Sequence, residues 1–140
     1  MKNIVIIDDD RKSMESLELT IELDLPDYKS IIFQYPEDFE EANIEDISLI
    51  ILDIMFAGEG DNQKGGFNLG IEFYLNYKEK NPSVPFIIFT NKTRDSLNEE
   101  TIKIIEEINN DIIIEKPSVS LDLLIQKIKE FINSKSNDNE

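Results

Sequence analysis

The residues able to do chemistry in this chain sit at the ends of apolar runs. "IVIIDDD" ends in Asp8, Asp9 and Asp10, "LIILDIMF" contains Asp53, "FIIFTN" contains Thr90, and "IIIEKP" contains Lys116 followed by Pro117. Carboxylates brought close together repel and raise one another's pKa unless a cation sits among them. Hard carboxylate oxygens suit Mg2+, with Mn2+ as the other candidate. A carboxylate beside such an ion can act as a nucleophile toward phosphorus. A lysine ammonium and a hydroxyl could then balance the phosphoryl oxygens, and phosphoryl transfer needs little beyond that positioning and charge balance.

Taken singly, each group has an ordinary explanation. Asp53 could simply mark a strand end, the acidic triplet could cap a helix, Thr90 could belong to a turn, and Lys116 could be a surface lysine. Asp10 is read as a helix cap and nothing more. The ordinary explanations weaken when the elements that must hold these residues are considered together.

Short, nearly continuous apolar runs occupy 3–8, 48–53, 85–90 and 111–116, with a weaker candidate, "KSIIFQY", at 29–35. Continuous rather than alternating apolarity indicates strands covered on both faces, as in a parallel sheet. Helical periodicity fills the gaps. Leu17, Ile21 and Leu25 repeat before Pro26, and "PEDFEEANIED" offers a short second helix. "GIEFYLNYKEKN" makes a third, and Ile102, Ile105 and Ile108 share a stripe on a fourth. Leu121, Leu124, Ile125, Ile128 and Ile132 form the clearest amphipathic helix. The alternation reads as a doubly wound α/β fold. In such folds ligands bind beyond the carboxyl ends of the strands, where Asp8, Asp9, Asp53, Thr90 and Lys116 all fall. The polar stretch 134–140 is read as a disordered tail after a domain spanning 1–133.

These motifs, in this order, resemble the receiver domains of two-component response regulators, from Lys2 to about Asn133. The resemblance implies a five-stranded parallel sheet of order 2-1-3-4-5 flanked by five helices (the flavodoxin-like receiver fold). It implies that Asp53 is the phosphoacceptor, and that Asp8, Asp9, Asp53 and the backbone carbonyl of Met55 hold Mg2+. Thr90 and Lys116 would contact the phosphoryl group, and Pro117 would follow a cis peptide bond. The donor would be a histidine kinase or a phosphotransfer protein in a phosphorelay, supplying the histidine that this chain lacks. The implied protein is a stand-alone signalling domain, not an enzyme, although it promotes its own phosphorylation and dephosphorylation. Its output would pass through contacts with a downstream protein, as a monomer or a phosphorylation-dependent dimer. The alternative is a receiver-like interaction module that acts without phosphorylation.

The chain departs from the family pattern in three places. The usual proline soon after the phosphoacceptor is missing around Phe56 and Ala57, and a long loop from Ala57 to Asn68 follows. Asn91 stands where a small residue is common, and Ile113 where many members carry a switching aromatic residue.

Composition narrows the field. The chain's 140 residues suit one domain. A net charge of −16 without a basic cluster argues against nucleic acid, and it predicts repulsion from anionic membranes. With neither cysteine nor histidine, thiol chemistry and the usual zinc sites are excluded. No signal-like or membrane-length apolar run is present, so a cytoplasmic location is expected. A haloacid-dehalogenase-type phosphatase, with Asp8 as nucleophile, is disfavoured by Lys12 and by the lack of a later acidic pair. A flavodoxin-type flavin carrier is disfavoured because three aspartates would repel its phosphate.

Overall fold

Five strands and five helices alternate along the chain in a computed structural model. It describes residues 2–54, 64–91, 95 and 97–138. The strands are β1 (Lys2–Ile7), β2 (Tyr28–Phe33), β3 (Ile47–Leu52), β4 (Phe86–Thr90) and β5 (Ile112–Glu115). The helices are α1 (Arg11–Asp24), α2 (Pro36–Ala42), α3 (Lys64–Lys80), α4 (Glu99–Lys103) and α5 (Leu121–Asp138). The strands pair in parallel in the order β2-β1-β3-β4-β5, the order and doubly wound class expected from the sequence.

Side chains on a strand alternate between its faces, so each strand feeds two cores. Ile4, Ile6, Leu49, Ile51, Ile87, Phe89 and Ile114 pack against Met14, Leu17 and Ile21 of α1 and against Leu124, Ile125, Ile128 and Ile132 of α5. Val5, Ile7, Ile50, Leu52, Phe86 and Ile88 pack on the opposite face with Phe39 of α2 and Phe73 and Tyr74 of α3. Burying one such side chain stabilises by roughly 1.5–3 kcal/mol. The central strands β1, β3 and β4 therefore read as unbroken apolar runs. The edge strand β2 alternates instead, and this explains its weaker signal in the sequence.

Two helical stripes differ from expectation. Ile105 is fully buried, but Ile108 is 64 % exposed. The reason is a π-helical turn over Ile104–Ile108, in which the Asn109 amide bonds the Ile104 carbonyl and rotates Ile108 out of phase. Leu121 is 39 % exposed because it opens α5, ahead of the turns that pack on the sheet. The bond before Pro117 also departs from expectation. No cis peptide occurs among the described residues, so Lys116–Pro117 is trans. Pro117 sits within a single 3-10 turn, Lys116–Ser118, whose early positions suit the fixed φ of proline. α5 runs to Asp138, well into the 134–140 stretch.

Near the amino ends of β4 and β5 lies a buried polar network that the sequence did not announce. Asp111 accepts from the Tyr74 hydroxyl (2.7 Å), the Phe86 amide (2.9 Å) and Lys78 (3.0 Å to Oδ2). Lys78 also donates to the Val84 carbonyl at 2.6 Å, and Asn109 donates to the Tyr74 hydroxyl at 2.9 Å. Burial and the neighbouring Asp111 push the Tyr74 phenol far above its ordinary range. The network ties α3 to the starts of β4 and β5.

Gly70 of α3 packs closely on the backbone just beyond β3. A Cβ there would lie 2.4 Å from the Cα of Ile54, the residue after Asp53, and 2.6 Å from its carbonyl oxygen. Gly70→Ala is therefore expected to push α3 away and cost about 1–3 kcal/mol, read from urea unfolding. Asp111→Ala strands the Lys78 ammonium in the interior, and the same measurement should show a larger loss, about 3–5 kcal/mol.

Candidate functional site

Strand register brings the chemical groups to one end of the sheet. Ile7 of β1 pairs with Leu52 of β3, so Asp8 and Asp53 leave adjacent strands side by side. The ladder continues past both strand ends: the Asp8 amide bonds the Phe33 carbonyl at 3.0 Å, and the Asp53 amide bonds the Ile7 carbonyl at 2.9 Å. Thr90 pairs with Glu115, which places Lys116 one residue beyond that pair. The backbone at these positions is thus held by sheet hydrogen bonds, which limits how far the carboxylates can separate.

Parity decides which side chains meet. Asp8 continues the face of Ile4 and Ile6, Asp53 that of Leu49 and Ile51, and Lys116 that of Ile112 and Ile114. These three converge: the Lys116 ammonium donates to Asp8 Oδ2 at 2.7 Å and to Asp53 Oδ2 at 3.1 Å. Thr90 continues the other face, with Phe86 and Ile88, and is fully buried. The Lys116 ammonium also lies 5.4 Å from the centre of the Phe89 ring, a cation–π contact that the sequence reading missed. No signal short of the register would have revealed it.

Asp8, Asp9 and Asp53 form the acidic cluster found among the described residues, with one carboxylate oxygen from each lying within 4.8 Å of the others. Asp8 and Asp53 are only 1 % and 4 % exposed, whereas Asp9 is half-buried. Burial pushes the Asp8 carboxyl up to about 6, and the nearby Asp53 adds to the rise against the opposing pull of the Lys116 hydrogen bond. Burial also works against the Lys116 charge, but the Asp8 hydrogen bond and the charges of Asp8 and Asp53 outweigh it, so the lysine is raised and stays protonated. The cluster thus sets three carboxylates, two of them buried, around the Lys116 ammonium. A small divalent cation with a preference for oxygen fits that donor set.

Asp10 plays the separate part expected of it. It caps α1, accepting from the Ser13 amide and, at 2.7 Å, from the Ser13 hydroxyl, which holds its carboxyl below the usual range. Its own amide donates to Asp8 Oδ1 at 2.8 Å and helps to orient that carboxylate. Asn91 is exposed, and Ile113 is half-buried against the α3-side core. Met55 and most of the Ala57–Asn68 loop lie outside the described residues. No helix among the described residues is long and apolar enough to cross a membrane.

No protein-family model matches the sequence, and neither does any curated protein. Solved structures do match the fold. A CheY-like response regulator receiver domain protein from Methanospirillum hungatei superposes with a TM-score of 0.74 at 22 % identity, covering 99 % of this chain and 98 % of that one. A two-component response regulator from Clostridium difficile gives 0.70 at 19 % identity, covering 98 % and 99 % of the two chains. The response regulator TrrA from Thermotoga maritima, solved in complex with Mg2+ and BeF, gives 0.62 at 22 % identity and covers 93 % and 98 %. The chain has the fold of response regulator receiver domains over nearly its whole length.

The electrostatics of Asp8 set a pH dependence. Because its folded pKa is raised, the folded state binds the proton more tightly than the unfolded state does. Asp8 therefore costs nothing below about pH 4, and it costs progressively more as pH rises to about 6. In metal-free buffer Asp8→Asn should be more stable than the parent at pH 8 by on the order of 2–3 kcal/mol. The difference should vanish below pH 4. Urea unfolding in EDTA at the two pH values measures it, and equal stability at pH 8 would show that the Lys116 bond outweighs burial.

Proposed function

We propose that this chain is a response regulator receiver that accepts a phosphoryl group on Asp53 and signals through protein contacts. The observation that carries the reading is the Lys116 ammonium bridging Asp8 and Asp53 at the carboxyl end of a sheet with receiver topology. Asp8, Asp9 and Asp53 would hold Mg2+, together with the Met55 carbonyl, which lies outside the described residues. When bound, the ion supplies positive charge against the oxygens of the phosphoryl group.

The chain's own residues supply the rest. An Asp53 carboxylate oxygen attacks phosphorus as the bond from phosphorus to the donor's histidine nitrogen breaks, and the electron pair leaves with the imidazole. Lys116 already spans the two buried carboxylates, so its ammonium needs only to turn to pair with a phosphoryl oxygen. Thr90, buried at the end of β4, would contact the phosphoryl group through its hydroxyl. The short strand ends and their ladder bonds keep Asp53 in place during attack. The donor in this reading is a histidine kinase or phosphotransfer protein; dephosphorylation is attack by water on phosphorus, which breaks the bond to Asp53, releases inorganic phosphate and regenerates the carboxylate.

Incubation with phosphoramidate or acetyl phosphate and Mg2+, followed by intact-mass measurement, tests the proposal. One phosphoryl adduct is expected in the parent chain, with none in Asp53→Ala and none in EDTA. Lys116→Ala should slow its formation by about tenfold or more, the effect of losing one charge-assisted contact to the phosphoryl group. No adduct from these donors or from a histidine kinase would favour a module that works without phosphorylation, and an adduct that persists in Asp53→Ala would move the acceptor elsewhere.

A further inference from the structure

The opposite end of the sheet holds a cavity of about 350 Å³ whose lining is unlike the rest of this acidic chain. Lys2 opens β1, Ser48 lies near the start of β3, Ser83 precedes β4, and Asn109 precedes β5, so the cavity sits beyond the amino ends of the strands. Three of the chain's 14 basic residues, Lys2, Lys78 and Lys135, line it, and no carboxylate does so among the described residues. We propose that this cavity binds a small organic carboxylate, with the anionic head on Lys135 and Lys2 and an apolar body against Tyr28, Ile47 and Ile132.

The hydrogen-bond inventory assigns the roles. Lys78 is spent on the Val84 carbonyl and both Asp111 oxygens, so it supplies local potential rather than a contact. Lys135 donates once, to the Asn110 carbonyl at 2.8 Å, and an ammonium has two further protons to give. Lys2 makes no ion pair among the described residues, although Asp27 and Asp46 share a neighbouring hollow with it. The hydroxyls of Ser48 and Ser83 add neutral donors. Burial is the main cause that lowers the Lys78 pKa, and Lys135, which lines the same cavity, adds a smaller repulsion. An anion between them relieves that repulsion.

The apolar wall argues for an organic body over a bare inorganic ion. Tyr28, Ile47 and Ile132 line the cavity beside Pro82 and Pro85, and an aryl or short alkyl group would bury against them. The net charge of −16 works against any anion approaching from solution, so saturable binding of one requires a local cationic site. The cavity borders the Lys78–Asp111 network and the α3–β4 turn, so occupancy would brace the end of the sheet remote from Asp53.

The test is 1H–15N NMR titration of the full chain in metal-free, carboxylate-free buffer with sodium benzoate, with inorganic phosphate and with sodium chloride at matched ionic strength. Benzoate should give saturable shifts at Ser48, Ser83 and Asn109, with phosphate weaker and chloride without saturation. Lys135→Gln should weaken benzoate binding by about tenfold, the loss of one charge-assisted contact. Lys2→Gln, at an exposed position, should also weaken it and provides the variant least exposed to a folding defect. Shifts that do not saturate, that map to the Asp8–Asp53 end, or that survive both substitutions unchanged would overturn the proposal. Phosphate binding tighter than benzoate would overturn the assignment of the apolar body.

Discussion

Two carboxylates held side by side out of water are the constraint around which this structure is arranged. Asp8 and Asp53 leave neighbouring strands at the same level, and the sheet's backbone bonds prevent them from drifting apart. Their repulsion is met by one ammonium, Lys116, which arrives from the far strand of the same half of the sheet. The strand order 2-1-3-4-5 brings these groups together, because it sets β1 beside β3 and leaves β5 one strand beyond β4. The two apolar cores are what hold that order rigid.

The same sheet separates its charges by end. The carboxyl end gathers acid around one lysine, while the amino end buries Asp111 beneath Lys78 and keeps Lys2 and Lys135 nearby. Both buried groups are costly to hold in isolation and are tolerated because their polar atoms are hydrogen-bonded. Among the described residues no buried side-chain nitrogen or oxygen lacks a hydrogen bond. The difference between the ends lies in what is left over. At Asp8 the pKa stays raised and a cation fits the three carboxylates, whereas at Asp111 three donors saturate one carboxylate.

Much of the frame was legible because buried strands announce themselves. "NIVIID", "SLIILD" and "PFIIFT" are apolar on both faces, and only a covered parallel strand makes that sequence economical. Position relative to those runs was enough to group Asp8, Asp9, Asp53 and Lys116. Periodicity failed where the backbone left its regular repeat, as Ile108 falls out of its stripe at the π-helical turn, and the cis bond that the resemblance implied before Pro117 is trans, inside a 3-10 turn. Both depend on hydrogen bonds that connect residues five apart or turn a loop locally, and no residue count records them. The Asp111 network was invisible for another reason. Tyr74, Lys78 and Asp111 carry ordinary patterns in their own segments, and only packing makes partners of them.

By itself, the sequence determined which residues are apolar at a period of two or near 3.6, and therefore which segments become strands or helices and which polar groups stand at their ends. That information is local, since it is written in neighbouring residues. Tertiary structure decided everything that depends on register and parity. It set Lys116 on Asp8 and Asp53 and placed Thr90 on the other face of the sheet. It also gathered Lys2, Lys78 and Lys135, scattered along a chain without a basic cluster, into one cavity. Distances of this kind follow from strand pairing between segments far apart in the chain, and a one-residue slip would send each side chain to the opposite face.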